Sequence, residues 1–292
     1  MKKSSLKSQV FLTVLFSLIC ASVLYPFLIL VSVSFSNEQD VLINGYKLIP
    51  ERFDLSAYRY VFSNPQTVVD AYKITAIFSV LGMILNTLLM AMIAYPLSSP
   101  KMRCKRQLAF YLYFTMLFSG GLVPSYILIT QYLHLNDTIW VYILPHMITP
   151  WYVFMMRTFF SQIPDSLSES MRLDGASEYQ IFARLIIPLS KPVIATVALF
   201  MFLTKWNDWN TAMLYINDQK LISLQYLLQK ILRDVQFIQE NTNAGVDLDS
   251  ARVPTTTVQM AMAMVVTGPV LVVFPFFQKY FVRGLTVGSV KG

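Results

Sequence analysis

Long uncharged apolar runs, separated by short polar and charged stretches, set the rhythm of this 292-residue chain. A hydrocarbon layer about 30 Å thick takes roughly 20 helical residues to cross, so runs of that length are the natural unit of reading. Five contain no Asp, Glu, Lys or Arg: Val10 to Val33, Ile74 to Leu97, Leu108 to Leu133, Thr138 to Met156 and Thr255 to Gln278. A sixth begins near Pro192 and stays uncharged to Thr204, where Lys205 and Asp208 interrupt it before its outer end near Leu214. The pattern predicts an all-α integral membrane protein forming a single domain over 1–292. Its six transmembrane helices fall at about 10–33, 74–97, 108–133, 138–156, 192–214 and 255–278. A loop at 157–191, a long segment at 215–253 and a tail at 279–292 complete the layout.

Six crossings place both termini on one side of the membrane, and the Lys/Arg bias selects the side. The N-terminus, the 98–107 loop, the 157–191 loop and the tail together carry fourteen basic and four acidic residues. The opposite face carries nine basic and twelve acidic residues. Both termini are therefore expected in the cytoplasm. The first run follows Lys2, Lys3 and Lys7 but is too long for a signal peptide and lacks a small-x-small cleavage site, so it is expected to be retained. Ser17-Leu18-Ile19-Cys20 is a poor lipoprotein box because Ile19 is bulky.

Composition agrees: 55% of residues are hydrophobic and 13% charged, against about a quarter charged in soluble domains. Cys20 and Cys104 have no CxxC spacing, which excludes a disulfide scaffold. The basic excess follows from topology, so no nucleic-acid partner is expected. No Gly-x-x-x-x-Gly-Lys-Ser/Thr occurs to cradle nucleotide phosphates. His134 and His146 lack metal-site spacing and read as interfacial polar residues. No Gly-x-Ser-x-Gly elbow or intramembrane carboxylate pair appears, so no catalytic or metal residue is assigned and no enzyme activity expected. A passage or a scaffold remains.

The 157–191 loop is the most informative segment. It reads as two short helices joined at Gly175, a residue suited to the left-handed position that ends a helix. Ser166 with Glu169, and Ser177 with Gln180, have capping-box spacing. Pro188 is expected to end the second helix, whose apolar face carries Ile181, Phe182, Leu185 and Ile186. On these features alone, a capped linker and a docking element for a soluble partner are equally good readings.

Glu169, Asp174-Gly175-Ala176, Phe182 and Ile186-Ile187-Pro188-Leu189 resemble the EAA loop of binding-protein-dependent ABC importer permeases. Ser170 and Met171 stand where that family often has alanines, and Ile187 where leucine is usual. Phe118-Ser119-Gly120-Gly121-Leu122-Val123-Pro124, Trp206-Asn207-Asp208 and the segment from Gln278 to Gly292 resemble the carbohydrate-uptake permeases, closest to the lipo-oligosaccharide and polysaccharide branch. The resemblance implies a multi-pass subunit in a bacterial cytoplasmic membrane, paired with a second homologous permease, two cytoplasmic ATPases and an extracytoplasmic solute-binding protein. It implies that no cofactor is bound by this chain, with ATP and Mg held at the ATPase subunits. It further implies that Glu169, Ser170, Met171, Asp174, Gly175, Ala176, Phe182 and Pro188 couple to the ATPases. Arg283, Gly284 and Lys291 in the tail would reach between those ATPases, and 215–253 would receive the binding protein.

Asn86, Ser119, Tyr126, Gln131, Asn207 and Asn210 are candidates to line a hydrated sugar path, with helix–helix hydrogen bonding as the plainer alternative. Lys205 and Asp208 are helix-spaced and expected to pair or snorkel. Gly82, Ala91, Ala94 and Gly268 suit close helix contact. A membrane scaffold, an embedded enzyme, or a permease for another solute are the competing readings.

Overall fold

The computed structural model describes residues 6–243 and 255–288; among these the regular elements are helices, joined by turns and irregular chain, with one isolated antiparallel bridge between Ser36 and Phe53. In order, the helices are α1 (Leu6–Ser34), α2 (Glu38–Asn44), α3 (Ser56–Val61), α4 (Pro65–Ser98), α5 (Lys105–Leu117), α6 (Leu122–Tyr132), α7 (Pro150–Phe160), α8 (Asp165–Leu173), α9 (Glu178–Leu189), α10 (Lys191–Trp206), α11 (Asn210–Tyr215), α12 (Leu224–Asn243) and α13 (Thr255–Gly288). Among the described residues, three stretches are long and apolar enough to cross a membrane alone: Gln9–Ser34, Pro65–Ser98 and Thr255–Pro275. Two bent pairs reach the same standard together, α5 with α6 at 111° and α9 with α10 at 83°.

The chain divides into two compact units. The first comprises residues 1–68 and 228–268. After α1 a small polar cap forms: Asn37 accepts the Gln39 N–H to start α2 and donates through Nδ2 to Asp54 at 3.0 Å. Asp54 also accepts the Ser56 N–H at 2.8 Å, which holds its carboxyl below the ordinary range. Asp40 is buried against Arg52, and Phe35 stacks between Phe53 and Tyr58.

The second unit comprises residues 69–227 and 269–292. Its hydrophobic core joins Met90, Ala94 and Leu97 of α4 to Met156 and Phe160 of α7, Ile181 and Phe182 of α9, and Val197 of α10. In this unit the structure departs from the hydropathy reading in instructive ways. The third apolar run is not one helix: it breaks at Gly121, which takes φ +86° and donates its N–H to Ser119 Oγ. A side chain with a Cβ resists that conformation, so the glycine is what permits the turn. The fourth run is not one helix either. A 3₁₀ turn at Ile139–Tyr142 leads into irregular chain, and α7 starts at Pro150 and runs past Met156 to Phe160. Pro145 and Pro150 lack amide donors and disrupt a helix between them, while proline is well tolerated as the first residue of a new one.

Irregular backbone leaves carbonyls without helical partners, which is costly in lipid unless protein groups satisfy them. Two side chains do so here. Lys205, fully buried in α10, donates to the Tyr142 carbonyl, and Asn86 of α4 donates to the His146 carbonyl at 3.2 Å. The Lys205 stem lies against Gly82, where an added Cβ would sit 3.4 Å from its Cγ and Cε. Lys205 therefore does not pair with Asp208 as the spacing suggests. The Asp208 carboxylate accepts the Thr211 N–H at 3.0 Å in the first turn of α11, because the apolar run that begins near Pro192 is interrupted at Asn207–Trp209. Phe78 and Tyr142 stack at 4.1 Å, and the Tyr142 hydroxyl donates to the Leu221 carbonyl at 2.8 Å, fixing the irregular stretch from the other side.

Candidate functional site

The loop between α7 and α10 is built by local signals. Pro164 precedes α8, and Asp165 in its first turn complements the positive end of the helix dipole. The expected Ser166–Glu169 capping box is absent: Pro164 occupies the cap position, and Glu169 reaches Lys101 at 3.2 Å. Both partners are more than half exposed, so that contact adds little stability. At the other end the geometry is a Schellman motif. Ala176 N–H donates to the Met171 carbonyl at 2.9 Å and Gly175 N–H to the Arg172 carbonyl at 3.1 Å, with Gly175 at φ +82°.

The chain then turns straight into α9 through a complete capping box. Gln180 N–H donates to Ser177 Oγ at 3.3 Å, and Ser177 N–H donates to Gln180 Oε1 at 2.8 Å. Within α9 the turn at Phe182–Ile186 widens to a π-helix. Pro188 does not end the helix: the α-helical turn at Ile187–Leu189 carries it through, and the break falls at Ser190. A proline lacks the amide donor and crowds the carbonyl of the preceding turn. The wider π turn ahead of it relaxes that register, and a proline near the start of a new α-turn is acceptable.

One network ties the loop to α4. Glu178 accepts Tyr95 Oη at 2.6 Å, Arg172 Nε at 2.7 Å and Arg172 Nη2 at 3.3 Å. The Arg172 guanidinium, and then the Tyr95 hydroxyl, hold the Glu178 carboxyl below its ordinary range. The Tyr95 ring also lies 5.5 Å from that of Phe182, so α9 is anchored by one polar and one apolar contact. Beside it a cleft of about 220 Å³ is lined by Tyr95, Ser98, Lys101, Phe160, Glu169 and Arg172.

Of the coupling residues expected from sequence, Glu169, Ser170, Asp174, Gly175 and Pro188 are exposed, Met171 and Ala176 half-buried, and Phe182 buried in the core. Two further residues of this loop, not singled out from the sequence, stand out by their exposure. Leu173, at the end of α8, is 88% exposed, and Tyr179, opening α9, is 72% exposed. An apolar residue at the final position of a charged helix was the available signal for the first. Arg172, Glu178 and Tyr95 were also missed, because 83 residues separate Tyr95 from its carboxylate partner. Of the tail residues, Lys291 lies outside the described residues, and Arg283 and Gly284 are described only as helical backbone.

The polar residues expected along a path are not all brought together. Asn210 lines a mostly apolar cavity of about 340 Å³ with Ser125, Ile129, Leu144, His146 and Tyr215. Tyr126 stacks on Tyr215 at 5.7 Å. Asn86 is buried and donates to the His146 carbonyl. Asn207 is exposed and bonds back to the Leu203 carbonyl, Ser119 holds the Gly121 turn, and Gln131 is exposed on the π turn of α6. Near this cavity, Asp137 at φ +53° accepts the backbone N–H groups of Asp218 and Asn217, which hold its carboxyl below the ordinary range.

Residues 70–287 match the model of the binding-protein-dependent transport system inner membrane component family. The chain belongs to that family. This inner membrane component is 38% identical over 273 residues to protein LplC of Bacillus subtilis (strain 168), covering 93% of this chain and 90% of that one. It is 37% identical over 284 residues to the polygalacturonan/rhamnogalacturonan transport system permease protein YtcP of the same strain, covering 95% of each. Its fold is similar to a chain of a bacterial ABC transporter involved in the import of the acidic polysaccharide alginate. That similarity has a TM-score of 0.80 at 29% identity, over 96% of this chain and all of that one. The protein is thus a multi-pass permease subunit of an ABC transport system in the inner membrane.

Proposed function

We propose that this permease forms half of the translocation path of an ATP-driven sugar importer, taking an oligosaccharide delivered by an extracytoplasmic binding protein. The sugar class rests on what the relatives carry by name, a polygalacturonan or rhamnogalacturonan for one and alginate for another. The second half of the path belongs to a homologous permease in a heterodimer, and ATP and Mg bind to two cytoplasmic ATPase subunits. Six crossings with both termini cytoplasmic follow if the three long helices, the bent pair α5–α6, the α10–α11 stretch and the segment ending in α7 each cross once. The carbonyl contacts of Lys205 and Asn86 support the last of these, since they leave the irregular stretch fit for a lipid-excluded position.

ATPase coupling falls to the 157–191 loop, with Glu169, Ser170, Met171, Asp174, Gly175 and Ala176 at its tip and Leu173 and Tyr179 as protruding apolar contacts. Phe182 and Pro188 set the path of α9 behind that tip, and the tail residues Arg283, Gly284 and Lys291 reach the ATPases separately. Asn210, Tyr126 and Tyr215 offer an amide and aromatic faces to a sugar, while Asn86, Ser119, Gln131 and Asn207 complete the path region. The observation that carries this reading is the Schellman turn and capping box meeting at Gly175, which hold a compact two-helix hook with an apolar tip. Co-purification of the complex followed by uptake of galacturonan, alginate and neutral oligosaccharides into ATP-loaded proteoliposomes tests it. ATP-dependent accumulation of a sugar is expected. Copurification without ATPase subunits would contradict the reading.

A further inference from the structure

Outside the sites described so far, the chain that leaves α2 carries an apolar surface that its own unit leaves uncovered. Leu42, Ile43, Tyr46, Leu48, Ile49 and Phe53 fall within twelve residues and all are exposed, Ile43 by 81% and Ile49 by 79%. Single exposed apolar residues are ordinary, but a cluster of them marks a contact surface. The charges set among them are neutralised in place. Every charged side chain from residue 40 to 52 has an opposite partner. Arg52 donates to both carboxylate oxygens of Asp40, at 2.6 and 2.9 Å, and Lys47 pairs with Glu51, which also accepts Asn44 Nδ2 at 2.8 Å.

Hydrogen bonds fix where this surface lies. Ser32, in the last turn of α1, donates its hydroxyl to the Lys47 carbonyl at 2.7 Å. Just beyond the helix, Asn37 N–H donates to the Arg52 carbonyl at 3.2 Å and Asp54 N–H to the Phe35 carbonyl at 2.9 Å. Residues 47–54 therefore fold back against the end of α1 and do not project away from it. Glu38 steadies the same base, its carboxylate accepting the Thr256 and Thr257 N–H groups at the start of α13, each at 2.8 Å. The 26-residue apolar stretch Gln9–Ser34 is about 39 Å long as helix, against a hydrocarbon core of about 30 Å, so its last turn reaches the headgroup layer. The folded-back segment shares that depth, where tyrosines such as Tyr46 and Tyr58 settle with the ring in an apolar layer and the hydroxyl in a wet one.

We propose that residues 42–53 form an interfacial membrane anchor, laying Ile43, Tyr46 and Ile49 into the boundary between lipid headgroups and acyl chains beside the end of α1. The patch continues the surface of a membrane-crossing helix at the edge of the bilayer, and an apolar face whose charges are already paired suits lipid at that depth. The anchor holds the polar cap at a fixed level, so this end of α1 resists sliding along the bilayer normal. The inference rests on α1 crossing the membrane.

The test places a nitroxide label on Ile43→Cys, and separately on Ile49→Cys, in a Cys20→Ser, Cys104→Ser background. Both native side chains touch little of their own chain, so the labels leave the fold intact. The full complex is reconstituted into nanodiscs of phosphatidylethanolamine and phosphatidylglycerol. Power saturation in electron paramagnetic resonance then compares collisions with oxygen, which concentrates in lipid, and with a water-soluble nickel chelate. Relative to the same label free in buffer, both positions are expected to show a several-fold rise in the ratio of oxygen to chelate collisions. Labels as open to the chelate as one free in buffer would overturn the anchor in favour of a solvated loop. Immobilised labels screened from both reagents would overturn it in favour of a protein partner. A label on the native Cys20 within α1, in a Cys104→Ser background, that the chelate reaches freely would instead overturn the crossing of α1 beneath the inference.

Discussion

Gly175 offers the sharpest mutational series. Its φ of +82° lies where an L side chain is strained, yet an added Cβ there would meet nothing within 4 Å. The cost of substitution is therefore almost purely conformational, about 1–2 kcal/mol for alanine, and smaller for asparagine, which visits the left-handed region readily. A β-branched valine is a true outlier there and costs more. One to two kcal/mol reduces the ratio of intact to disrupted hook by a factor of about 5–30. ATP-driven uptake and ATPase retention on the purified complex are therefore expected to fall in the order Gly, Asn, Ala, Val. Wild-type coupling in Gly175→Val would show that the hook's shape is irrelevant. An asparagine variant as damaged as the valine one would show that bulk at an interface matters and backbone strain does not.

Leu173→Ala is expected to weaken ATPase association by about 1.5–3 kcal/mol, roughly ten- to a hundredfold, without lowering the melting temperature of the permease, because the side chain touches little of its own chain. Titrating ATPase onto reconstituted permease checks this, and equal affinity refutes it. Glu178→Gln should lower the melting temperature only where the wild-type carboxylate is ionised. Its carboxyl is held below the ordinary range, so the stabilisation is complete above about pH 5 and is lost as pH falls through the depressed value. Melting curves of the two proteins that stay separated at lower pH, well past the glutamate range, would contradict the Arg172 and Tyr95 contacts. Gly82→Ala should be tolerated, since its Cβ meets the Lys205 stem at ordinary contact distance, whereas Gly82→Leu should cost about 1–3 kcal/mol in thermal or denaturant unfolding.

Hydropathy located the long helices well because lipid imposes a length and a composition, and α1, α4 and α13 each contain an expected run. It was blind to interruptions made of uncharged residues. The Ser119-Gly120-Gly121 break and the irregular stretch before Pro150 are as apolar as helix, and only backbone dihedrals and missing amide donors distinguish them. In the loop, the Ser177–Gln180 box and the Gly175 turn were legible since each is decided within a few residues. The Ser166–Glu169 box was not, because Pro164 and Lys101 competed for its two members. Pro188 misled for a related reason: the rule that proline ends a helix assumes α-register, and α9 changes register just before it. Contacts such as Glu178 with Tyr95, Lys205 with the Tyr142 carbonyl and Glu38 with α13 are settled by tertiary proximity and leave no local pattern.

The proposed function requires ATPase force to enter this permease through the hook at 165–181. The most direct measurement places a single cysteine at Ser170, in a Cys20→Ser, Cys104→Ser background, and applies a short photoactivatable crosslinker to the assembled complex in nanodiscs. A crosslink to the ATPase subunit is expected, with a yield that changes on adding ATP. Labelling by lipid or solvent alone, with the ATPase present and active, would contradict it.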